Sequence, residues 1–192
     1  MVNLPNLLSL LRLVAAPVLL LLAAADQPTA YLVLLAAALL SDAVDGFLAR
    51  RLGQTSELGA RLDSWGDFAI YMTVPLGAWW LWPEVILREA TFAAAVVASY
   101  VFPVVLGFLK YRRLTSYHTW GAKLSGVLLS AGALLLFAGG PAWPFRLAVA
   151  VLVLAELEEI AITAVLPEWR ANVPTLRHAL RLRREMRGGF GR

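Results

Sequence analysis

The sequence contains no cysteine, and only 16% of its 192 residues are charged. The absence of cysteine excludes disulfide bonds and metal sites built from thiolates. The low charge, together with 60% hydrophobic residues and a mean hydropathy of +0.70, excludes an ordinary soluble domain. The two histidines, His118 and His178, are isolated from each other and are more typical of interfacial positions than of a catalytic site.

Six apolar stretches approach or reach the roughly 20 residues that a helix needs to cross a bilayer. They occupy most of the chain, so no separate soluble domain is expected. The sequence predicts one all-α integral membrane domain over residues 1–192, a six-transmembrane-helix bundle with a short N-terminal interfacial segment and a basic C-terminal tail. The predicted spans are residues 7–25, 30–50, 59–82, 90–109, 122–138 and 144–166, and the tail covers about 170–192.

The 17 lysine and arginine residues are distributed unevenly along the chain. With the amino terminus inside, only Arg88 and Arg146 fall at the outer ends of spans, which satisfies the positive-inside rule. We therefore expect a multi-pass protein of a bacterial or archaeal-type cytoplasmic membrane, with its active site on the cytoplasmic side. The basic excess suits anionic lipid and phosphate better than nucleic acid, and the tail predicts an amphipathic helix lying on anionic lipid.

A signal peptide is a second reading of the N-terminal segment, because residues 23–25 resemble a small-residue cleavage site. However, no charge precedes the apolar run, and Arg12 interrupts it. We therefore expect the first helix to be retained in the membrane domain.

Four aspartates lie within residues 42–67, in two pairs with helical spacing. Residues three, four and seven apart share one face of a helix, so each pair lies beside small residues. The connection over residues 51–58 is short and polar, so the two helices should be antiparallel neighbours whose acidic faces meet at the cytoplasmic end. The faces consist of Asp42, Asp45, Gly46 and Ala49 on one helix and Gly59, Asp63 and Asp67 on the other.

Carboxylates inside a membrane are costly and indicate function by default. Four of them cannot all stay ionised close together unless cations neutralise them. Hard oxygen ligands favour Mg²⁺, Mn²⁺ or Ca²⁺, and a pair of such ions can clamp a phosphoryl group. Arg50 suits phosphate. Pairing with Arg50 and Arg51, helix capping or small-residue packing would each explain only one or two of these residues.

This stretch resembles the signature of the CDP-alcohol phosphatidyltransferase family, D-x-x-D-G-x-x-A-R-x8-G-x-x-x-D-x-x-x-D, without a gap or substitution. The resemblance implies an enzyme of phospholipid biosynthesis. Such an enzyme transfers a phosphatidyl or similar group from a CDP-alcohol such as CDP-diacylglycerol to a small alcohol acceptor, and releases CMP. It also implies two divalent cations, Mg²⁺ or Mn²⁺, and a homodimer.

The same resemblance implies a role for each matching residue. Asp42 and Asp63 would bridge the two metal ions, Asp45 would hold the first ion and Asp67 the second. Asp67 would also be the general base that accepts the proton of the attacking hydroxyl. The implied donor-binding residues are Asp45, Gly46, Ala49, Arg50, Ser56 and Gly59.

The acceptor is less constrained by the sequence. Arg112, Arg113 and Lys123 are candidates for an acceptor phosphate, although positive-inside topology explains them equally well. Family members that use glycerol 3-phosphate commonly carry D-P-x-A-D-K at the last two aspartates, whereas this chain has Asp-Ser-Trp-Gly-Asp-Phe over residues 63–68. Residues 90–109 also lack arginine and lysine, whereas those family members commonly carry arginines in this span. The sequence therefore does not favour glycerol 3-phosphate as the acceptor.

Other polar residues leave alternatives open. Asn6 and Arg12 are candidates for contact with a substrate headgroup at the cytoplasmic face. Glu156, Glu158 and Glu159, near the last span, have no assigned role. A cation transporter or channel is the alternative function, because intramembrane acids also mark ion pathways. The clustering of the aspartates on two adjacent helices favours the transferase.

Overall fold

The computed structural model describes the backbone of residues 4–52, 57–112, 117, 119–170 and 172–188. Side chains are described in these ranges except at residues 4–6, 8, 42–52, 57–61, 63, 64, 67, 187 and 188. Within these limits the chain forms helices and no strand. The helices are α1 Leu4–Ala24, α2 Pro28–Leu52, α3 Glu57–Leu81, α4 Pro83–Arg88, α5 Ala90–Tyr111, α6 Trp120–Phe137, α7 Trp143–Val165 and α8 Leu176–Gly188.

The all-α fold is confirmed, and the six predicted spans match α1, α2, α3, α5, α6 and α7 with ends that differ by a few residues. Two details differ from the expectation. α1 begins at Leu4, so Asn6 belongs to the first helix and not to a separate interfacial segment. The short helix α4 was not predicted; it begins at Pro83, a residue that suits the first turn of a helix.

Two helices of the described chain, α5 and α6, are long and apolar enough to cross a membrane by length and composition. Shorter apolar stretches occur at Ser9–Ala24, Pro28–Ser41 and Phe68–Leu81. α7 does not meet the same test within the described residues, because three glutamates occupy its second half. The count of six spans therefore stays a prediction.

The chain divides into two compact units, residues 1–88 and 89–192, and the prediction of a single domain stays a prediction. In the first unit, α1 packs against both α2 and α3. Tyr31 of α2 is fully buried, and its hydroxyl donates a hydrogen bond to the carbonyl of Val74 in α3 at 3.4 Å. Gly77 makes this approach possible, because a Cβ there would lie 2.6 Å from the Tyr31 ring.

In the second unit, α7 packs against α5, α6 and α8. The contact with α6 is close at Gly132, where a Cβ would lie 2.9 Å from the Cα of Phe145. Small residues commonly permit such close packing between membrane helices. At the start of α5, the buried Glu89 accepts two hydrogen bonds from Arg146 of α7, at 2.8 and 2.9 Å. This bidentate ion pair ties the first turns of the two helices together.

The basic tail forms the expected helix, α8, and much of its apolar side is covered by the protein. It packs against the protein in a cluster of buried residues that includes Val173, Ala179 and Tyr117. An amphipathic pattern shows that one side of a helix is buried, but it cannot show whether protein or lipid buries it. Among the arginines of α8 whose side chains are described, Arg177, Arg181 and Arg184 are exposed.

Candidate active site and its surroundings

The acidic motif lies inside helices rather than at their ends. Asp42 and Asp45 stand ten and seven residues before Leu52, the last residue of α2. Asp63 and Asp67 stand six and ten residues after Glu57, the first residue of α3. Only the first four N–H groups and the last four carbonyls of a helix lack helical partners. Capping of their own helices, α2 and α3, therefore does not explain why these four positions carry aspartate.

The structure describes the helical backbone of the motif over residues 42–52 and 57–67, but most of its side chains lie outside the described residues. The side chains of Asp42, Asp45, Ala49, Arg50, Asp63 and Asp67 lie outside the described residues, as do Ser56 as a whole and the surroundings of Gly46 and Gly59. Among the side chains that are described, no group of three or more histidine, cysteine, aspartate or glutamate residues is arranged to hold a metal ion. The predicted ligand set thus stays a prediction.

Arg12 is the predicted headgroup residue whose surroundings are described, and it is only 2% exposed. Its guanidinium lies 3.5 Å from the hydroxyl of Ser9, one turn earlier in α1. It packs against Gly66 of α3, where a Cβ would lie 3.4 Å from the Cβ of Arg12 and 3.8 Å from its Nε. The other predicted headgroup residue, Asn6, has a side chain outside the described set.

Arg12 also borders a cavity of about 290 Å³ between α1 and α2, which Ser41 lines as well. Ser41 directly precedes Asp42, and Gly66 directly precedes Asp67. The guanidinium therefore lies next to Gly66, the chain neighbour of Asp67, and Arg12 shares a cavity with Ser41, the chain neighbour of Asp42. A buried cation at this position is unusual in a membrane helix and indicates a functional or structural pairing.

Two of the acceptor candidates, Arg112 and Lys123, occupy exposed positions in the second unit. Arg112 follows the last residue of α5 in a left-handed conformation, with φ of 55°, and its N–H donates to the carbonyl of Phe108 at 2.8 Å. The ammonium of Lys123 lies 5.1 Å from the centre of the Trp120 ring. Arg113 is outside the described residues. The structure does not bring Arg112 and Lys123 together in one described cavity.

Two of the three unassigned glutamates have contacts that tie helices together. Glu158 accepts a hydrogen bond from the N–H of Leu176, the first residue of α8, at 2.9 Å. Glu159 accepts one from the hydroxyl of Thr119 at 3.1 Å, and Thr119 caps the start of α6. Glu156 is 8% exposed and lines a cavity of about 340 Å³ between α5 and α7. Carboxylates at helix starts stabilise the exposed N–H groups there.

The sequence interpretation missed the close contact of Gly66 and the anchoring of Lys110. The ammonium of Lys110 donates to the carbonyls of Thr163 and Ala164 near the end of α7, at 2.6 and 3.1 Å. Helical spacing was a usable signal for Gly66, which stands three residues after Asp63 and so shares its face. The contact with α1 itself is not visible in the sequence.

An apolar chain that is helical throughout its described elements, with four aspartates in the interior of two consecutive helices, has the features of a membrane protein. The profile of the family described as CDP-alcohol phosphatidyltransferase matches residues 2–165, and the chain belongs to this family. It is therefore a transferase that moves a phosphatidyl group from a CDP-alcohol in phospholipid synthesis. This membership decides between the transferase and the transporter in favour of the transferase.

Individual relatives agree with this class. The chain is 29% identical over 180 residues to a probable phosphatidylglycerophosphate synthase of two Mycobacterium tuberculosis strains, covering 85% of this chain and 78% of the relative. It is 42% identical over 65 residues to a CDP-diacylglycerol–glycerol-3-phosphate 3-phosphatidyltransferase of Aquifex aeolicus, covering 34% of this chain and 36% of that protein. No solved structure matches the chain.

Proposed function

We propose that the chain uses a pair of divalent cations, Mg²⁺ or Mn²⁺, to transfer the phosphatidyl group of CDP-diacylglycerol to a small alcohol. Asp42, Asp45, Asp63 and Asp67 would hold the cations, since carboxylate oxygens are the ligands that these hard ions prefer. When bound, the ions would neutralise the pyrophosphate and the charge that develops on the leaving CMP. The placement of all four aspartates inside helices is the observation that carries this proposal, because capping of their own helices cannot account for it.

The contact of Tyr31 with α3 supports the meeting of the two acidic faces. Asp42 follows Tyr31 by eleven residues in α2, and Asp63 precedes Val74 by eleven residues in α3. Each interval corresponds to about 16 Å of helix. The four residues between α2 and α3 allow only a short connection, so the helices run in opposite directions. Asp42 and Asp63 are thereby expected at the same height.

Asp67 is proposed as the general base. The oxygen of the acceptor hydroxyl forms a bond to the phosphorus that carries the diacylglycerol group. The bond from that phosphorus to the oxygen bridging to CMP breaks, and CMP leaves with the electron pair. The hydroxyl proton passes to the carboxylate of Asp67, which must lie within hydrogen-bond reach of the acceptor.

The donor site is proposed to include Asp45, Gly46, Ala49, Arg50, Ser56 and Gly59. Arg12 is proposed to join it, because its buried guanidinium lies against Gly66, which precedes Asp67, and Arg12 borders the same cavity as Ser41, which precedes Asp42. A planar guanidinium matches the oxygens of a pyrophosphate. Arg12→Lys keeps the charge and loses the fork, so we expect weaker donor binding with the fold retained. An unchanged donor affinity would remove Arg12 from the site.

The acceptor is proposed to be glycerol 3-phosphate, the acceptor that the name of the Aquifex relative prints. This reverses the expectation from residues 63–68, so the acceptor must be tested directly. Purified protein with CDP-diacylglycerol and Mg²⁺ or Mn²⁺ would be assayed for CMP release with glycerol 3-phosphate, serine, inositol, inositol phosphate and glycerol. Release that depends on glycerol 3-phosphate alone supports the proposal. CMP release that depends on another compound would identify that compound as the acceptor and refute glycerol 3-phosphate.

The topology belongs to the same proposal. The positive-inside distribution of charge supports six spans and an active site that opens on the cytoplasmic side. Acceptor binding by Arg112, Arg113 and Lys123, binding of a substrate headgroup by Asn6, and the homodimer have no direct support in the described contacts and stay predictions.

A further inference from the structure

Glu156 of α7 is buried, yet it forms none of the polar contacts that hold the second unit together. The nearby Glu158 and Glu159 accept hydrogen bonds from Leu176 and Thr119. No residue that the structure describes donates a hydrogen bond to Glu156 or forms an ion pair with it. Burying a carboxyl group without a partner costs stability, so we expect this residue to serve a ligand.

The side chain of Glu156 lines the cavity of about 340 Å³ between α5 and α7. Among the described residues of its wall, the other polar side chain is that of Ser99, which is also 8% exposed. The remaining wall is apolar and includes Ala95, Val153 and Ile160. A mainly apolar cavity of about 300–1,000 Å³ with a few polar groups is typical of small-molecule binding sites.

The cavity lies beside the middle of α5, a helix long and apolar enough to cross a membrane. Ser99 stands nine residues after Ala90 and twelve before Tyr111, the two ends of this helix. At 1.5 Å per residue, it is about 14 Å from the nearer end. Phe102 and Leu157, which also line the cavity, are 60% and 54% exposed. A ligand would therefore enter from the lipid side and would carry an apolar body.

We propose that this cavity binds the hydroxyl group of an apolar alcohol that is dissolved in the membrane. A hydroxyl group donates and accepts hydrogen bonds, so it matches the carboxyl group of Glu156 in either protonation state, and it also matches the hydroxyl of Ser99. An ammonium group would match only the carboxylate, and an anionic ligand would be repelled by it. The apolar wall suits the hydrocarbon part of the ligand. A lipid with a free hydroxyl group, such as a diacylglycerol, and a small alcohol are two sources of this chemistry.

The test uses an octanol that carries a photoreactive diazirine group. The full chain would be irradiated with this probe in phosphatidylcholine nanodiscs, whose lipid has no free hydroxyl group. Light expels N₂ from the diazirine, the resulting carbene inserts into a nearby bond, and mass spectrometry of peptides locates the label. Octanol, octane and dioctanoylglycerol would be compared as competitors at equal concentrations in the membrane. Neither CDP-alcohol nor metal is present, so the result is independent of the proposed transfer reaction.

In the wild type we expect saturable labelling within residues 95–103 or 153–160, the two segments that line the cavity. Octanol should compete about tenfold more effectively than octane, because only octanol can hydrogen-bond to the two polar side chains. Competition by dioctanoylglycerol as well would identify a site for a lipid hydroxyl, and competition by octanol alone a site for a small alcohol. Equal competition by octanol and octane would overturn the site, and this comparison needs no variant.

Variants assign the polar groups of the cavity. Glu156→Leu removes the carboxyl group at similar volume, so labelling should fall about tenfold, whereas Glu156→Gln keeps hydrogen-bonding groups and should stay within about threefold of the wild type. Ser99→Ala should weaken labelling by about threefold. Its matched control is Ser125→Ala, at a buried serine of α6 that does not line the cavity, and it should leave labelling unchanged. Wild-type labelling in Glu156→Leu would refute recognition by the carboxyl group.

Discussion

The two units of the chain use charged residues in different ways. In residues 89–192, charged side chains contact the ends of neighbouring helices: Glu89 accepts from Arg146 near the start of α7, Glu158 accepts from the N–H of the first residue of α8, and Lys110 donates to carbonyls near the end of α7. In residues 1–88, the four aspartates occupy helix interiors, where the backbone needs no capping. The contacts of the second unit stabilise its fold, whereas the four aspartates of the first unit are the residues proposed to bind the metal ions.

Loss of Asp67 is expected to have the largest effect on the reaction. Asp67→Asn removes the proposed base, so turnover should fall by roughly two to four orders of magnitude while CDP-diacylglycerol still binds. CMP release and donor affinity would be measured on the same preparation. Asp26→Asn is the matched control, because Asp26 is exposed in the turn after α1 with φ of 52°, a conformation that asparagine adopts readily. Normal turnover in Asp67→Asn would remove the base from the proposal.

Asp42→Ala tests whether the aspartates of the first unit, unlike the helix-end acids of the second unit, bind the metal ions. Asp42 is the proposed bridging ligand, so Mn²⁺ and the CDP donor should both bind more weakly, by more than about tenfold. The free Mn²⁺ signal in electron paramagnetic resonance measures the metal affinity directly. Glu89→Gln, which alters a helix-end acid of the second unit, should leave that affinity unchanged. Equal Mn²⁺ affinity in Asp42→Ala and wild type would show that the acidic face does not bridge the ions.

Gly77→Ala tests the register on which the acidic faces depend. The added methyl group would lie 2.6 Å from the Tyr31 ring, and overpacking of this kind costs about 1–3 kcal/mol of stability. Thermal unfolding in detergent, followed by circular dichroism, gives the change. In Gly126→Ala the new Cβ meets nothing within 4 Å, so that protein should be as stable as the wild type or slightly more so. Identical melting of all three proteins would contradict the close approach of α2 and α3.

Thr119→Val, in the second unit, is expected to have the smallest effect on stability and none on turnover. It removes the cap at the start of α6 and the hydrogen bond to Glu159, at a cost of about 1 kcal/mol. CMP release at a temperature well below unfolding should be unchanged, since the residue stabilises a helix end. Thr119→Ser keeps the hydroxyl and should recover most of the lost stability. A turnover defect in Thr119→Val without a stability change would place this region in the reaction.

The sequence predicted helix positions well because long apolar runs between polar connections leave little freedom to a membrane chain. It predicted the acidic motif because helical spacing alone puts Asp42 with Asp45 and Asp63 with Asp67. It could not predict that the apolar side of α8 packs on protein, since lipid would select the same pattern. The sequence also could not predict the contact between Arg12 and Gly66. These residues are separated by 53 others, and only the packing of α1 against α3 brings them together.

The most direct test of the account follows product formation with and without metal. Purified wild-type protein would receive CDP-diacylglycerol and glycerol 3-phosphate in a chelator, and then an excess of Mg²⁺ or Mn²⁺. We expect no CMP before the metal is added, and afterwards CMP together with an equal amount of phosphatidylglycerophosphate, identified by mass spectrometry. CMP formation in the chelator, or donor binding without CMP formation after metal is added, would contradict a metal-dependent transfer to this acceptor.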